Sequence, residues 1–207
     1  MKSEYSLFLA TATKDLEVSV IKKDDGLITG RKEITGIKSN LTLELLTSLI
    51  EDACSFFDIK LKDVESFYTL LGPGSNTGLR LALTVIKTVY ALNPNIRMYG
   101  INTLKVYLSN REDIAVLSDR KRNIYVGHYE NNEFITEIIR REEISDHALF
   151  RGRKVVIEKA DCNSLSLFEN HEKEEIVVVN KMVERRDGFE DYSSREESFL
   201  PIYQFQI

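Results

Sequence analysis

Chemistry at a phosphate is suggested first by Gly72-Pro73-Gly74-Ser75-Asn76-Thr77-Gly78, which follows the apolar β-type run Ser66 to Leu71 and opens into a helical pattern. Those seven residues hold three of the ten glycines of the chain and one of its three prolines. A glycine-rich turn between strand and helix exposes backbone N–H groups at a helix N-terminus, where the macrodipole favours anions. Ser75 and Thr77 are good capping residues for a helix starting near Gly78. The stricter nucleotide patterns are not met. A P-loop needs Gly-Lys-Ser/Thr, and Gly78 is followed by Leu79. The Gly-x-Gly-x-x-Gly of a dinucleotide fold would need a glycine at Thr77. Ser75 lacks the Gly-x-Ser-x-Gly frame of a hydrolase elbow. A tight turn that brings helix and strand together explains the glycines better than a catalytic phosphate loop.

Other reactive side chains are scattered. His128, His147 and His171 show no metal-ligand spacing, and His128 reads as a partly exposed residue of a strand. Ser145-Asp146-His147 has the residue types of a triad, but sequence neighbours do not face one another as a triad requires. Glu142-Glu143 and Glu174-Glu175 are adjacent carboxylates, which on a strand point to opposite faces. Cys54 and Cys162 are far apart, and Cys54 falls in an apolar helical pattern, as a small buried hydrophobe would. No group supplies nucleophile, base and charge stabiliser together.

The elements that would position these residues follow from periodicity. Tyr5 to Ala10, Glu17 to Lys22 and Arg31 to Ile37 read as three strands of a meander. From Asn40 the period becomes helical: Leu41, Leu45, Leu49, Ala53 and Phe57, flanked by Leu46, Ile50 and Cys54, form one stripe capped by Asn40 or Thr42. After a turn at 60–64 and the strand at Ser66, the helix 78–92 is apolar on most sides and ends at Pro94. A strand at Ile96 to Ile101 and a helix at Thr103 to Leu108 follow. The order β-β-β-α-β-α-β predicts a mixed sheet covered by helices. Beyond it, strands are expected at 113–118, 123–129, 133–139, 154–159 and 175–180, with helical turns at 145–150 and 163–168. Residues 182–199 are highly charged and read as a surface helix and loop. No internal repeat is visible.

Composition sets bounds. The 207 residues suit one domain or two small lobes, and a net charge of −5 argues against a broad nucleic-acid-binding surface. The basic runs Arg120-Lys121-Arg122, Arg140-Arg141 and 151–154 are interleaved with Glu142, Glu143 and Glu158, which reads as solvated surface. The charged start Met1-Lys2-Ser3-Glu4-Tyr5 and a short apolar run do not match a signal peptide, and no run reaches membrane-spanning length. A cytoplasmic protein is expected.

The segment Gly72 to Arg80 resembles the Gly-Pro-Gly-Ser-Phe-Thr-Gly-Leu-Arg signature of the TsaB (YeaZ) family, departing at Asn76, where the family has Phe. Leu7 to Thr13 is similar to the family's Leu-Ala-Leu-Asp-Thr-Ser-Thr, Ala115 to Tyr125 to its paired strands, and Phe199-Leu200-Pro201-Ile202-Tyr203 to its terminal Pro-x-Tyr. The resemblance implies an α/β, actin-like and sugar-kinase-like fold, with a ribonuclease-H-like lobe at 1–105 and a smaller α/β lobe at 106–207. Enzymes of this architecture place an aspartate at the end of the first strand; the matching residue is Ala10, which cannot ligate a cation. The implied function is a non-catalytic scaffold of the bacterial complex that attaches threonylcarbamoyl to the tRNA adenosine next to the anticodon. Its partners would be a TsaD-like catalytic subunit and a TsaE-like ATPase, with a homodimer in isolation and tRNA met through the complex. No cofactor, catalytic residue or metal ligand is assigned; Gly72, Gly74, Ser75 and Thr77 are the candidates for nucleotide contact. Leu43, Thr47, Ile50, Cys54, Thr84, Lys87 and Thr88 are the candidates for the partner interface. Two rival readings are an ATP-binding or glycoprotease-like enzyme and an actin-fold interaction module unrelated to tRNA.

Overall fold

The computed structural model describes residues 3–36, 43–119 and 122–202. Leu41 of the helical stripe, the caps expected at Asn40 and Thr42, Ile37, Arg120, Lys121 and Tyr203 lie outside these.

Among the described residues, eleven strands form two mixed sheets. The first begins with β1 (Glu4–Ala10), β2 (Leu16–Asp24) and β3 (Leu27–Gly36), an antiparallel meander. The helix α1 (Leu43–Ser55) then crosses to β4 (Ser66–Gly72), which lies parallel to β1. The helix α2 (Asn76–Leu92) crosses to β5 (Arg97–Asn102), parallel to β4. After α3 (Thr103–Tyr107), β6 (Ile114–Ser118), β7 (Asn123–Glu130) and β8 (Glu133–Arg140) form a second meander. The strands β9 (Val155–Glu158) and β10 (Lys173–Ile176), joined by α4 (Cys162–Leu167), extend it in parallel. The helix α5 (Val178–Glu184), the two-residue strand β11 (Glu190–Asp191) and a tail with a 3₁₀ turn at Glu196–Ser198 follow.

The strand orders are β11-β5-β4-β1-β2-β3 and β10-β9-β6-β7-β8. Five strands of each sheet therefore share one order and one set of directions, a structural duplication with no trace in the sequence. This is the mixed α/β fold expected.

The two-residue period of a strand places successive side chains on opposite faces. Leu7 and Leu9 of β1 and Phe67 and Leu71 of β4 join the core beneath α1 and α2. Phe8, Ala10, Tyr68 and Leu70 point the other way, into a layer shared with α3, α5, Ala115, Leu117 and Val156. Ile114, Val116, Val155 and Ile157 fill the far side of the second sheet with Phe150 and Phe168. Central strands buried on both faces must be apolar at nearly every position, which is why β1, β4 and β9 read as continuous runs.

Three expectations are corrected. The strand expected at 175–180 stops at Ile176, and Val178, Val179, Met182 and Val183 instead form the buried side of α5. A Val-rich run has β propensity, but a face that recurs every three to four residues is buried better as a helix. The helix expected at 145–150 is a pair of 3₁₀ turns, Arg141–Asp146 and Ala148–Phe150. Residues 182–199 are not a surface appendage. Met182 and Phe199 are fully buried, Tyr192 packs on Phe199, and β11 pairs with β5 in the first sheet. Their apolar anchors are spaced widely among charges, so local composition conceals them.

Candidate functional site

The glycine-rich loop is closed by the chain's own backbone. α2 starts at Asn76, earlier than the expected Gly78, and Ser75 is its cap, its hydroxyl accepting from the Gly78 N–H at 3.3 Å. Ser75 N–H donates to the Ala12 carbonyl at 2.7 Å, and the Thr11 hydroxyl donates to the Gly78 carbonyl at 2.8 Å. A Cβ at Gly78 would collide with the Thr11 carbonyl oxygen, and one at Gly74 with that of Ala12. On the other flank Ile202 N–H donates to the Leu71 carbonyl at 2.6 Å, and the Ile202 carbonyl abuts Gly72. The exit of β1 and the returning tail thus occupy the close approach that the glycines permit. Thr77 is exposed on the first turn of α2 and takes no part in these contacts.

A second cluster, unrecognised in the sequence, joins the two sheets. Glu158 was expected among solvated charges; it is buried to 1% exposure, on the same face of β9 as Val156. Its carboxylate accepts from the Lys14 N–H at 2.8 and 2.9 Å and from the Asp15 N–H at 3.0 Å. Asp161 accepts from Ser118 N–H at 2.8 Å and from the Ser118 and Ser164 hydroxyls at 2.6 and 2.7 Å, and it caps α4. The Lys14 ammonium donates to the Ser118 carbonyl at 2.7 Å and lies 3.8 Å from Asp161. Glu17, also buried, accepts from Val179 N–H at the start of α5 at 2.8 Å. Burial pushes the Glu158 carboxyl up to about 7; the two backbone bonds oppose this, while the charges of Glu17 and Asp161 add to it. Burial likewise raises Glu17 and carries the Tyr107 hydroxyl well above the usual phenol value. Sequence pattern carried one signal: a glutamate closing the apolar run Val155-Val156-Ile157 has no solvent face.

The cluster is sealed. A carboxyl that titrates near neutrality suits general acid–base work, but both Glu158 oxygens hold backbone amides and solvent does not reach them. Among the described residues no three His, Cys, Asp or Glu side chains are placed to hold a metal ion. His128, expected to be partly exposed, is buried, with Nε2 2.9 Å from Glu137. His147 packs against Phe150 beyond the second sheet.

The residues expected at a partner surface divide into two sets. Ile50 and Cys54 are corrected: both are 1% exposed and belong to the core beneath the first sheet. Burial pushes the Cys54 thiol up to about 11, as for an inert small hydrophobe. Leu43, Thr84 and Thr88 are exposed, and Thr47 is half-buried with its hydroxyl bonded to the Leu43 and Glu44 carbonyls. Lys87 is partly covered and engages Glu196 of the tail through its carboxylate at 3.0 Å and its carbonyl at 3.1 Å. α1 presents Glu44, Glu51 and Asp52 outward; α2 presents Arg80, Thr84, Thr88 and Leu92.

A model of the protein family described as "TsaD: tRNA N6-adenosine threonylcarbamoyltransferase" matches residues 37–159, more than half of the chain. The chain belongs to the TsaD family. Protein MG208 of Mycoplasma genitalium is 28% identical over 170 residues, covering 82% of this chain and 80% of that one. Its homologue in Mycoplasma pneumoniae is 28% identical over 125 residues, or 60% and 63% of the two chains. Among solved structures, YeaZ from Pseudomonas aeruginosa superposes with a TM-score of 0.66 at 16% identity, covering 97% of this chain and 100% of that chain. A protein described as similar to peptidase YeaZ from the same organism gives 0.68 at 15% identity, covering 97% and 99%. The family match and the shared fold bear out the resemblance to the TsaB (YeaZ) family carried by Gly72 to Arg80. Among the described residues no helix is long and apolar enough to cross a membrane.

Proposed function

We propose that this TsaD-family protein is a cytoplasmic, non-catalytic scaffold subunit in the attachment of threonylcarbamoyl to tRNA adenosine. It would pair with a TsaD-like catalytic subunit and a TsaE-like ATPase, and with itself when they are absent. The observation that carries this reading is the filled glycine loop. Thr11, Ala12 and Ile202 backbone atoms fill the space that the missing side chains of Gly78, Gly74 and Gly72 leave open, so these glycines serve the packing of the chain on itself. Ala10 at the end of β1 adds no ligand for a cation.

In this reading residues 1–105 carry the partner surface, and residues 106–207 form the second unit, whose tail returns to the first sheet. Leu43, Thr47, Thr84, Lys87 and Thr88 would lie in or beside that surface, and Gly72, Gly74, Ser75 and Thr77 would serve only the turn. In a two-fold pairing the acidic outer side of α1, with Glu44, Glu51 and Asp52, would meet the side of α2 that carries Arg80, Thr84 and Thr88. Affinity purification from cells tests the reading. A TsaD-like protein should co-purify, and depletion should remove threonylcarbamoyladenosine from tRNA. Retention of the modified base after depletion argues for an interaction module unrelated to tRNA. Nucleotide turnover by the purified chain alone, abolished by Gly74→Val, argues for the enzyme reading.

A further inference from the structure

Three buried carboxylates, Glu17, Glu158 and Asp161, meet between the two sheets, together with one lysine. Lys14 directs its ammonium to Asp161 and the Ser118 carbonyl, so the nearest positive charge is already engaged. Glu158 is held instead by neutral donors, the Lys14 and Asp15 N–H groups, which lie 144 and 143 residues away in the chain. Beside it the fully buried Tyr107 hydroxyl makes no hydrogen bond of ordinary length. The charged and titratable groups that face Glu158 are Lys14 and Asp15 on the β1–β2 loop, Glu17 on β2, Tyr107 on α3 and Asp161 before α4. Glu33 on β3 acts on Glu17.

We propose that Glu158 is a proton-dependent clasp that seats Lys14 and Asp15 of the β1–β2 loop on the second sheet, tight when its carboxyl carries a proton and looser when it is ionised. The neutral carboxyl keeps a carbonyl oxygen for the Lys14 and Asp15 amides, and its O–H can turn to the Tyr107 oxygen. The anion sits among like charges in a medium that solvates it poorly, and opening the loop lets water reach it. Opening therefore releases a proton, taken up by solvent, over the interval between the ordinary carboxylate value of 4.5 and the buried value of about 7. This clasp does not depend on the partner reading.

Native-state hydrogen exchange of the Lys14 and Asp15 amides tests it, with rates corrected for the intrinsic pH dependence of exchange. The opening equilibrium should rise up to about tenfold per pH unit between pH 5 and 7 and level off above. E158Q should show no such rise, and E17Q, lacking one like charge, should move the midpoint to lower pH. A pH-independent opening in the wild type, or an unchanged profile in E158Q, overturns the clasp. So does exchange of Lys14 and Asp15 at the same rate as core amides such as that of Val116, because the loop would then not open by itself. If E158Q does not fold, the wild-type profile and the E17Q midpoint decide the question.

Discussion

The Glu158 carboxylate holds the backbone N–H of Lys14 with both oxygens, at 2.8 and 2.9 Å, across 144 residues of chain. It ties the end of β9 in the second sheet to the loop that leaves β1 in the first. Because burial raises this carboxyl to about 7 from 4.5, the folded chain binds its proton more tightly than the unfolded chain does. The sign follows from linkage: the contribution is fully present below about pH 4.5 and is lost as pH rises through about 7. Glu17, raised by the same cause, acts in the same direction. Urea unfolding should show stability falling by at most ~3 kcal/mol between pH 4.5 and 8 from Glu158, at 1.36 kcal/mol per pKa unit. In E158Q most of that slope should vanish; an equal slope in the variant would remove Glu158 as its source.

Gly78→Ala should destabilise the fold severely, by about 3 kcal/mol or more. The added methyl meets the Thr11 carbonyl, a backbone atom that cannot rotate away. Ser75→Ala, which removes only the cap of α2, should cost about 1 kcal/mol. Equal costs in chemical denaturation would show that the glycine serves only as a conformational hinge.

On the outer helices, Thr84→Glu should weaken self-association in sedimentation velocity while leaving the circular dichroism spectrum unchanged, because Thr84 is exposed. Ile50→Arg should unfold the chain, since it drives a guanidinium into the core beneath α1. If Thr84→Glu leaves the association constant unchanged, this face of α2 is outside the interface.

The tail is held by apolar burial more than by charge. Phe199→Ala should cost about 3–5 kcal/mol, the range for emptying a buried aromatic site. Glu196→Ala breaks a half-exposed ion pair with Lys87 and should cost no more than about 1 kcal/mol. The reverse order in thermal unfolding would make the ion pair the anchor.

Thiol titration separates the two cysteines. Cys162 is exposed and should react promptly with a disulfide reagent, whereas Cys54 is buried, with its thiol pushed up to about 11. One thiol per native chain should react within minutes and two after denaturation. Fast labelling of both would place Cys54 at a surface.

Much of the first sheet was legible in the sequence because its signals are local. The runs in β1 and β4, the stripe from Leu45 to Phe57 and the glycine turn each declare themselves within about ten residues. The second half was less so. Val177-Val178-Val179 has the composition of a strand and folds as the start of a helix, and Phe199 stands among charges that hide a fully buried ring. Glu158 was misread for a related reason. The basic run at 151–154 and Lys159 put charges near it in sequence, while its neighbours in space are Lys14, Glu17 and Tyr107.

By itself the sequence determined the order of the elements as far as α3, the likeness of Gly72 to Arg80 to a known family and the absence of a ligating side chain at Ala10. These rest on periodicity, backbone permissiveness and residue identity, all carried within short spans. The tertiary structure decided what fills the glycine loop, which side chains of α1 and α2 remain outside, and that three carboxylates share one buried site. Those facts depend on packing between segments distant in the chain, such as Thr11 with Gly78 and Lys14 with Glu158. Burial sets the charge state of a carboxyl, and burial is a property of the fold rather than of the residue.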